Sequence, residues 1–290
     1  MANITQLFKK GPIIFDGAMG TELQKRGLHQ DPAILNLSHP ESIIDLHCEY
    51  LKAGADVLTA NTFGAYSYKY PNAKDMIKAA ISHGRKALEG HPGKLLALDL
   101  GPTGLLLEPY GDTTPEECSA IFEEAVSTGI SYGVDLILVE TMMDLTELEL
   151  AVRAAKNTCL PVIATMTFDK NGKTMMGASI DDMVNLLANL KVDALGMNCG
   201  FGPDIYTKLA SELISKTSLP IIVQPNAGLP IPNESTDKNS IGAPRYNLSV
   251  EEFSEAMAAM HTLGVTLLGG CCGTTPEHIL ALANQVKPSY

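Results

Sequence analysis

IIFDGAMGT, residues 13–21, is a short apolar run that ends in an acid and breaks into a glycine-containing turn. A parallel strand buried on both faces reads this way, as a continuous apolar stretch rather than an alternating one. The turn that follows decides between two folds. A doubly wound open sheet wants G-x-G-x-x-G directly after its first strand, so that backbone can approach a pyrophosphate. Asp16-Gly17-Ala18-Met19-Gly20-Thr21 lacks that spacing.

Seven similar runs follow the first, Ile13–Asp16. They are Asp56–Asn61, Leu95–Asp99, Leu136–Glu140, Val162–Thr167, Ala194–Asn198, Ile221–Pro225 and Thr266–Gly269. Helix-like stretches separate them. One spans Pro40–Ala53 and ends at Gly54. Thr114 caps another that begins with Pro115 and carries Glu116 and Glu117 in its first turn. Asp144, Ser249 and Thr275 are caps for three more. Eight evenly spaced strand–helix units predict an α/β chain folded as a single (β/α)8 TIM-type barrel over residues 1–290. Asp16, Asn61, Asp99, Glu140, Asn198 and Asn226 all fall at or just past the C-terminal ends of strands, the face that carries the site in such barrels. Two connections on that face are long, Gly101–Thr113 and Gly228–Leu248. The second reads either as a tolerated insertion or as a lid.

The net charge of −12 argues against a nucleic-acid partner, which would leave a basic patch or stripe. No stretch approaches the ~18 apolar residues of a membrane span, and MANITQLFKKGPIIFDGAMG has neither a signal-length apolar run nor a small-residue cleavage site. The expected location is the cytoplasm, where the six cysteines stay reduced.

Three of those cysteines follow strands. Cys199 comes directly after the sixth, in Gly196-Met197-Asn198-Cys199-Gly200. Cys271 and Cys272 come directly after the eighth, in Gly269-Gly270-Cys271-Cys272-Gly273-Thr274-Thr275-Pro276. The sixth and eighth strands flank the seventh, so the three thiols can converge at one rim. Three protein ligands with one open position describe a catalytic zinc site. Gly269, Gly270 and Gly273 would let the backbone turn tightly enough for adjacent side chains to face one ion. Other readings stay open on these residues. Cysteine is often a small buried hydrophobe, the reading given to Cys48, Cys118 and Cys159. Gly269-Gly270 could instead hold a substrate phosphate, an arrangement common in barrels.

GGCCGTTPEHI at 269–279, together with MNCGFGP at 197–203, resembles the homocysteine S-methyltransferase family. The likeness extends through FDGAMGTELQKRGL at 15–28, NTFGA at 61–65, DLGPTG at 99–104, VET at 139–141 and PNAG at 225–228. NTFGA, GPTG and PNAG are most similar to the branch holding the homocysteine-binding module of cobalamin-dependent methionine synthase. The resemblance implies a zinc-bearing barrel with Cys199, Cys271 and Cys272 as ligands. It implies that the turn Ala18-Gly20-Thr21 offers backbone N–H groups to the homocysteine carboxylate, which fits a turn leading into a helix N-terminus. It assigns Glu140 to the substrate ammonium, Asp16 to the same amino-acid end, and Asn61 to the substrate contacts. Asn226 is a candidate for the fourth zinc position when substrate is absent.

The reaction so implied gives methionine by in-line attack of the substrate sulfur on an activated methyl group. The folate- and cobalamin-binding modules of the larger enzymes do not fit into Leu280–Tyr290, so the expected donor is a corrinoid carried by a separate protein. A small sulfonium such as S-methylmethionine ranks next. Betaine ranks last, since a quaternary ammonium wants an aromatic cage and the chain has no Trp and 6% aromatics. A binding subunit that holds homocysteine and zinc but transfers nothing alone is the reading of a different class.

Overall fold

The computed structural model of the protein describes residues 11–231 and 244–287. Most of the connection read as a possible lid lies outside the described residues, as do the first ten residues of the segment searched for a leader.

The barrel has eight parallel strands. They are β1 (Ile13–Ile14), β2 (Val57–Thr59), β3 (Leu95–Leu100), β4 (Leu136–Met142), β5 (Val162–Met166), β6 (Ala194–Asn198), β7 (Ile221–Gln224) and β8 (Leu267–Leu268). Each pairs with its neighbours in chain order, and β8 pairs with β1. The remaining seam closes between β1 and β2 through a parallel bridge from Phe15 to Val57. There Asp56 N–H donates to Ile14 O at 2.6 Å and Asp16 N–H to Val57 O at 3.1 Å. The expected barrel is therefore the observed one.

Strand alternation sorts the side chains into two cores. Leu95 and Ala97 of β3, Leu136 and Leu138 of β4, Ile163, Ile222 and Leu267 pack inside the barrel. Leu96, Leu98 and Leu100, with Ile137 and Val139, face the surrounding helices. The inward positions at the tops of the strands are polar: Asp99 on β3, Glu140 on β4, Asn198 on β6 and Gln224 on β7. A packed floor of aliphatic side chains thus carries a polar mouth.

The helix starts follow the predicted caps. Thr114 and Ser249 form capping boxes with Glu117 and Glu252, and Asp144 accepts the Glu147 N–H at 2.9 Å. At Thr275 the capping partner is different: its N–H donates to His278 Nδ1 at 3.2 Å. The cysteines outside the rim do not all behave as buried hydrophobes. Cys118 is buried, Cys48 is half-buried and Cys159 is exposed. Cys159 sits in the turn before β5, where no helix covers it. No helix among the described residues is long and apolar enough to cross a membrane.

Candidate metal and substrate site

The backbone around the seventh strand brings the three rim cysteines together. Cys199 N–H donates to Gln224 O at 3.0 Å, which seats the end of β6 against β7. From the other side, Cys271 N–H donates to Pro225 O at 2.8 Å and Ala227 N–H to Cys272 O at 3.0 Å. The segment 225–227 is therefore clamped between the two cysteine turns. The three sulfur atoms lie within 4.8 Å of one another.

The glycines contribute differently from the tight turn expected of them. Only Gly273 has positive φ, at 81°, and a Cβ there would lie 2.2 Å from the Tyr246 ring. Gly270 is needed for close approach instead, since a Cβ there would meet Thr274 Oγ1 at 2.4 Å. Cys199 itself is left-handed, with φ 59°, a region that side chains other than glycine rarely occupy. Such strain marks a residue that its surroundings hold in place.

Three thiols this close cannot all ionise without a cation. The Cys272 thiolate is favoured by S–H groups of Cys199 and Cys271 and by the Tyr246 hydroxyl, which hold it well below the usual thiol range. Cys271 is pushed up by its neighbours Cys199 and Cys272 and by burial. Cys199 is also raised: a hydrogen bond from Cys271 lowers it, but the Cys272 thiolate and burial outweigh that bond. Soft sulfur donors at one point suit a thiophilic dication. The Asn226 side chain, 4% exposed, adds an Oδ1 with no partner. Three sulfurs fit a zinc centre with one open coordination position, and Asn226 lies in the segment clamped between the cysteine turns.

Three carboxyl groups share the mouth with the thiols: Asp16 after β1, Asp99 on β3 and Glu140 on β4. Asp16 accepts the Thr59 N–H and the Thr59 hydroxyl, both at 2.8 Å, and burial raises its pKa to about 7 against those bonds. Glu140 is raised to about 8, first by burial and then by Cys199 and Asp16. Asp99 is raised further by burial, Glu140 and Asp16. The pocket therefore places acidic groups where only a cation or shared protons can make them comfortable.

The first turn joins the site through its backbone. Ala18 N–H is taken by Thr274 Oγ1 at 3.1 Å, and Thr21 Oγ1 accepts the Gly273 N–H at 3.0 Å. Tyr50 ties the same two turns together, donating to Ala18 O at 2.8 Å. Asn61 spends its amide hydrogens on Pro32 O and Asn36 Oδ1, at 2.7 and 2.9 Å, which leaves only its own oxygen for a ligand. Of the residues read from sequence, Cys199, Cys271, Cys272, Asn226, Glu140 and Asp16 gather at the mouth. Asn61 is turned toward the helix Pro32–Ser38. Sequence reasoning missed Tyr246 and Thr274. Tyr246 lies in a connection with no periodicity, and Thr274 was read only as part of a motif.

Three thiols converge on the C-terminal rim of this (β/α)8 barrel, a cluster that could hold a metal ion, and carboxyls share its mouth. The chain belongs to the homocysteine S-methyltransferase family, whose family model it matches over residues 13–286. It is 32% identical to the methionine synthase of Mycobacterium tuberculosis over 305 residues, covering 95% of this chain and 25% of that one. The methionine synthase of Mycobacterium leprae is 31% identical over 94% of this chain. The chain thus spans about a quarter of the length of these curated relatives. Among solved structures, the homocysteine methyltransferase MmuM from Escherichia coli in its apo form is 27% identical with a TM-score of 0.76, covering 96% of this chain and 97% of that one. Its metallated form is 25% identical with a TM-score of 0.81, over 97% and 98%.

Proposed function

We propose that this barrel transfers a methyl group to the thiol of homocysteine, giving methionine, with zinc held by Cys199, Cys271 and Cys272. The convergence of those three sulfurs within 4.8 Å carries the reading. Zinc, when bound, supplies deprotonation of the substrate thiol and, among three anionic sulfur ligands, leaves it electron-rich.

The chain's own groups bind and aim the amino-acid end. Glu140 and Asp16 receive the ammonium, whose positive charge relieves the cost of their burial. The turn Ala18–Thr21 faces the carboxylate: Thr274 fixes it through Ala18, and Gly20 and Thr21 offer their N–H groups. Asn61 contributes its free side-chain oxygen. Asn226 yields its place to the incoming sulfur. With both ends of the substrate held, the sulfur is directed out of the mouth toward the donor, and orientation alone supplies part of the rate.

We assign the donor to a methylated corrinoid carried by a separate protein. Phe63, Leu106, Met175, Met176, Leu229 and Ile231 are exposed on the loops that follow β2, β3, β5 and β7. They ring the mouth with apolar surface of the kind that marks a contact with a large partner. The names of the relatives support homocysteine as acceptor. A zinc centre of three thiolates fits a reducing compartment, and the cytoplasm is the proposed location.

The test is a donor panel run on protein of known zinc content. Turnover with methylcobalamin or a methylated corrinoid protein, and none with S-methylmethionine or betaine, is expected. Turnover with S-methylmethionine or betaine would reassign the donor. No turnover with any donor would make the chain a binding subunit.

A further inference from the structure

We infer that Asp99 is a third carboxyl of the ammonium pocket, its Oδ1 accepting one N–H of the substrate amino group beside Glu140 and Asp16. The inference rests on the homocysteine reading above and adds a residue to it.

Placement comes from strand alternation. Leu95 and Ala97 pack inside the barrel, whereas Leu96, Leu98 and Leu100 face the helices. Asp99 therefore points at the barrel axis, one pleat above Ala97. On β4 the same alternation sends Leu136, Leu138 and Glu140 inward, with Asp99 paired to Leu138 in the ladder. Glu140 thus rises one pleat above Asp99 on the adjacent strand. On the other side, Asp16 is bonded to Thr59 at the top of β2, the strand next to β3. The three carboxyls span the mouth from the end of β1, where Asp16 reaches across to Thr59 of β2, to β4, and the thiols sit at the ends of β6 and β8.

Partner accounting points the same way. Asp99 is 5% exposed, and its Oδ1 has no hydrogen-bond partner. Its backbone is satisfied by Thr62, whose hydroxyl accepts the Asp99 N–H at 3.0 Å and donates to its carbonyl at 2.8 Å. The side chain thus has no structural task in the ladder or the turn. Leaving a buried carboxyl oxygen unpaired is costly, and such an atom in a native pocket calls for a ligand. The charged groups that act on it are Glu140 and Asp16, both acids. Among the described residues, no lysine or arginine acts on any of the three. An ammonium group has three donors. Asp16 already receives two hydrogen bonds from Thr59, so three acceptors on three strands match the cation better than two.

The experiment compares two ligands on the zinc-loaded protein by calorimetry. Homocysteine carries the amino group. 4-Mercaptobutyrate keeps the thiol, the carbon chain and the carboxylate but lacks it. Asp99→Leu should weaken homocysteine binding about ten- to a hundredfold, the loss of a hydrogen bond to a charged group, with zinc content unchanged. It should leave 4-mercaptobutyrate unchanged or tighter. Asp99→Ala is the second variant should leucine not be accommodated, with the same expectation. Equal losses for both ligands would give Asp99 a purely structural role and overturn the inference, as would unchanged homocysteine affinity. Wild-type protein that fails to bind homocysteine would instead overturn the reading beneath it.

Discussion

Asn198 holds Thr141 with both ends of its amide: its Oδ1 accepts the Thr141 N–H at 2.8 Å and its Nδ2 donates to Thr141 Oγ1 at 2.7 Å. Thr141 is left-handed, with φ 62°, and directly follows Glu140; Cys199, also left-handed, directly follows Asn198. One buried amide therefore sets the turn after Glu140 and the turn that presents the first thiol. The Thr165 hydroxyl also donates to Asn198 Oδ1, at 2.7 Å, so the side chain cannot swing away without orphaning three groups. Asn198→Ala should cost about 2–4 kcal/mol, since three buried polar partners are left unpaired, a loss that relaxation of the strained turns offsets only in part. Zinc affinity and homocysteine affinity should fall together. Chemical denaturation and metal competition read both, and a variant that loses neither would separate the two turns.

Cys271→Ala and Cys272→Ser should each abolish zinc retention and activity while the barrel stays folded. The side chains lie at the rim, outside both aliphatic cores, so their loss opens no core cavity. Metal analysis after gel filtration is the check, with circular dichroism for the fold. Full zinc content in both variants would sink the assignment of this centre.

The barrel was legible because strands buried on both faces are continuous apolar runs, and eight of them at even spacing have one economical arrangement. Their lengths were not. Asp56–Asn61 shortens to Val57–Thr59, since Asn61 turns aside to bond Pro32 and Asn36. The thiol cluster was legible from topology, because Cys199 and Cys271-Cys272 end strands that flank β7. What escaped was whatever depends on long-range contacts or rare backbone. Nothing in a threonine or a cysteine announces a left-handed φ, and Thr274 meets Ala18 across 256 residues of chain. Asp99 stood in the row of strand-end polar residues, but its unpaired oxygen is visible only once the neighbours are in place.

Glu140→Ala should weaken homocysteine binding about ten- to a hundredfold with zinc content intact, the usual worth of a hydrogen bond between charged groups. The separation from the metal is the informative part. Glu140 lies near the top of β4 and senses Cys199, but it is not one of the three clustered sulfur donors, so zinc content should be retained. Titration of homocysteine into zinc-loaded variant protein decides it, and wild-type affinity would refute the ammonium role.

Stability of the ligand-free protein should fall as pH rises through neutrality, and Asp16 should be responsible for part of the fall. In the fold its pKa is raised from 3.8 to about 7, chiefly by burial. The unfolded chain releases that proton near its ordinary value and the folded chain keeps it, so between these limits the folded state binds more protons. Under linkage, stability then decreases with pH across that window. The contribution is fully present below about pH 4 and lost as pH passes about 7, a difference of roughly 4 kcal/mol for three pKa units. Asp16→Asn removes the titrating group while keeping an oxygen for Thr59, so its denaturation midpoint should vary less steeply between pH 5 and 8. Homocysteine should flatten the wild-type profile as well, because its ammonium supplies the counter-charge that burial withholds. Parallel pH profiles for wild type and variant would show that Asp16 titrates normally in the fold, and the cation-seeking pocket would then lose one of its carboxyls.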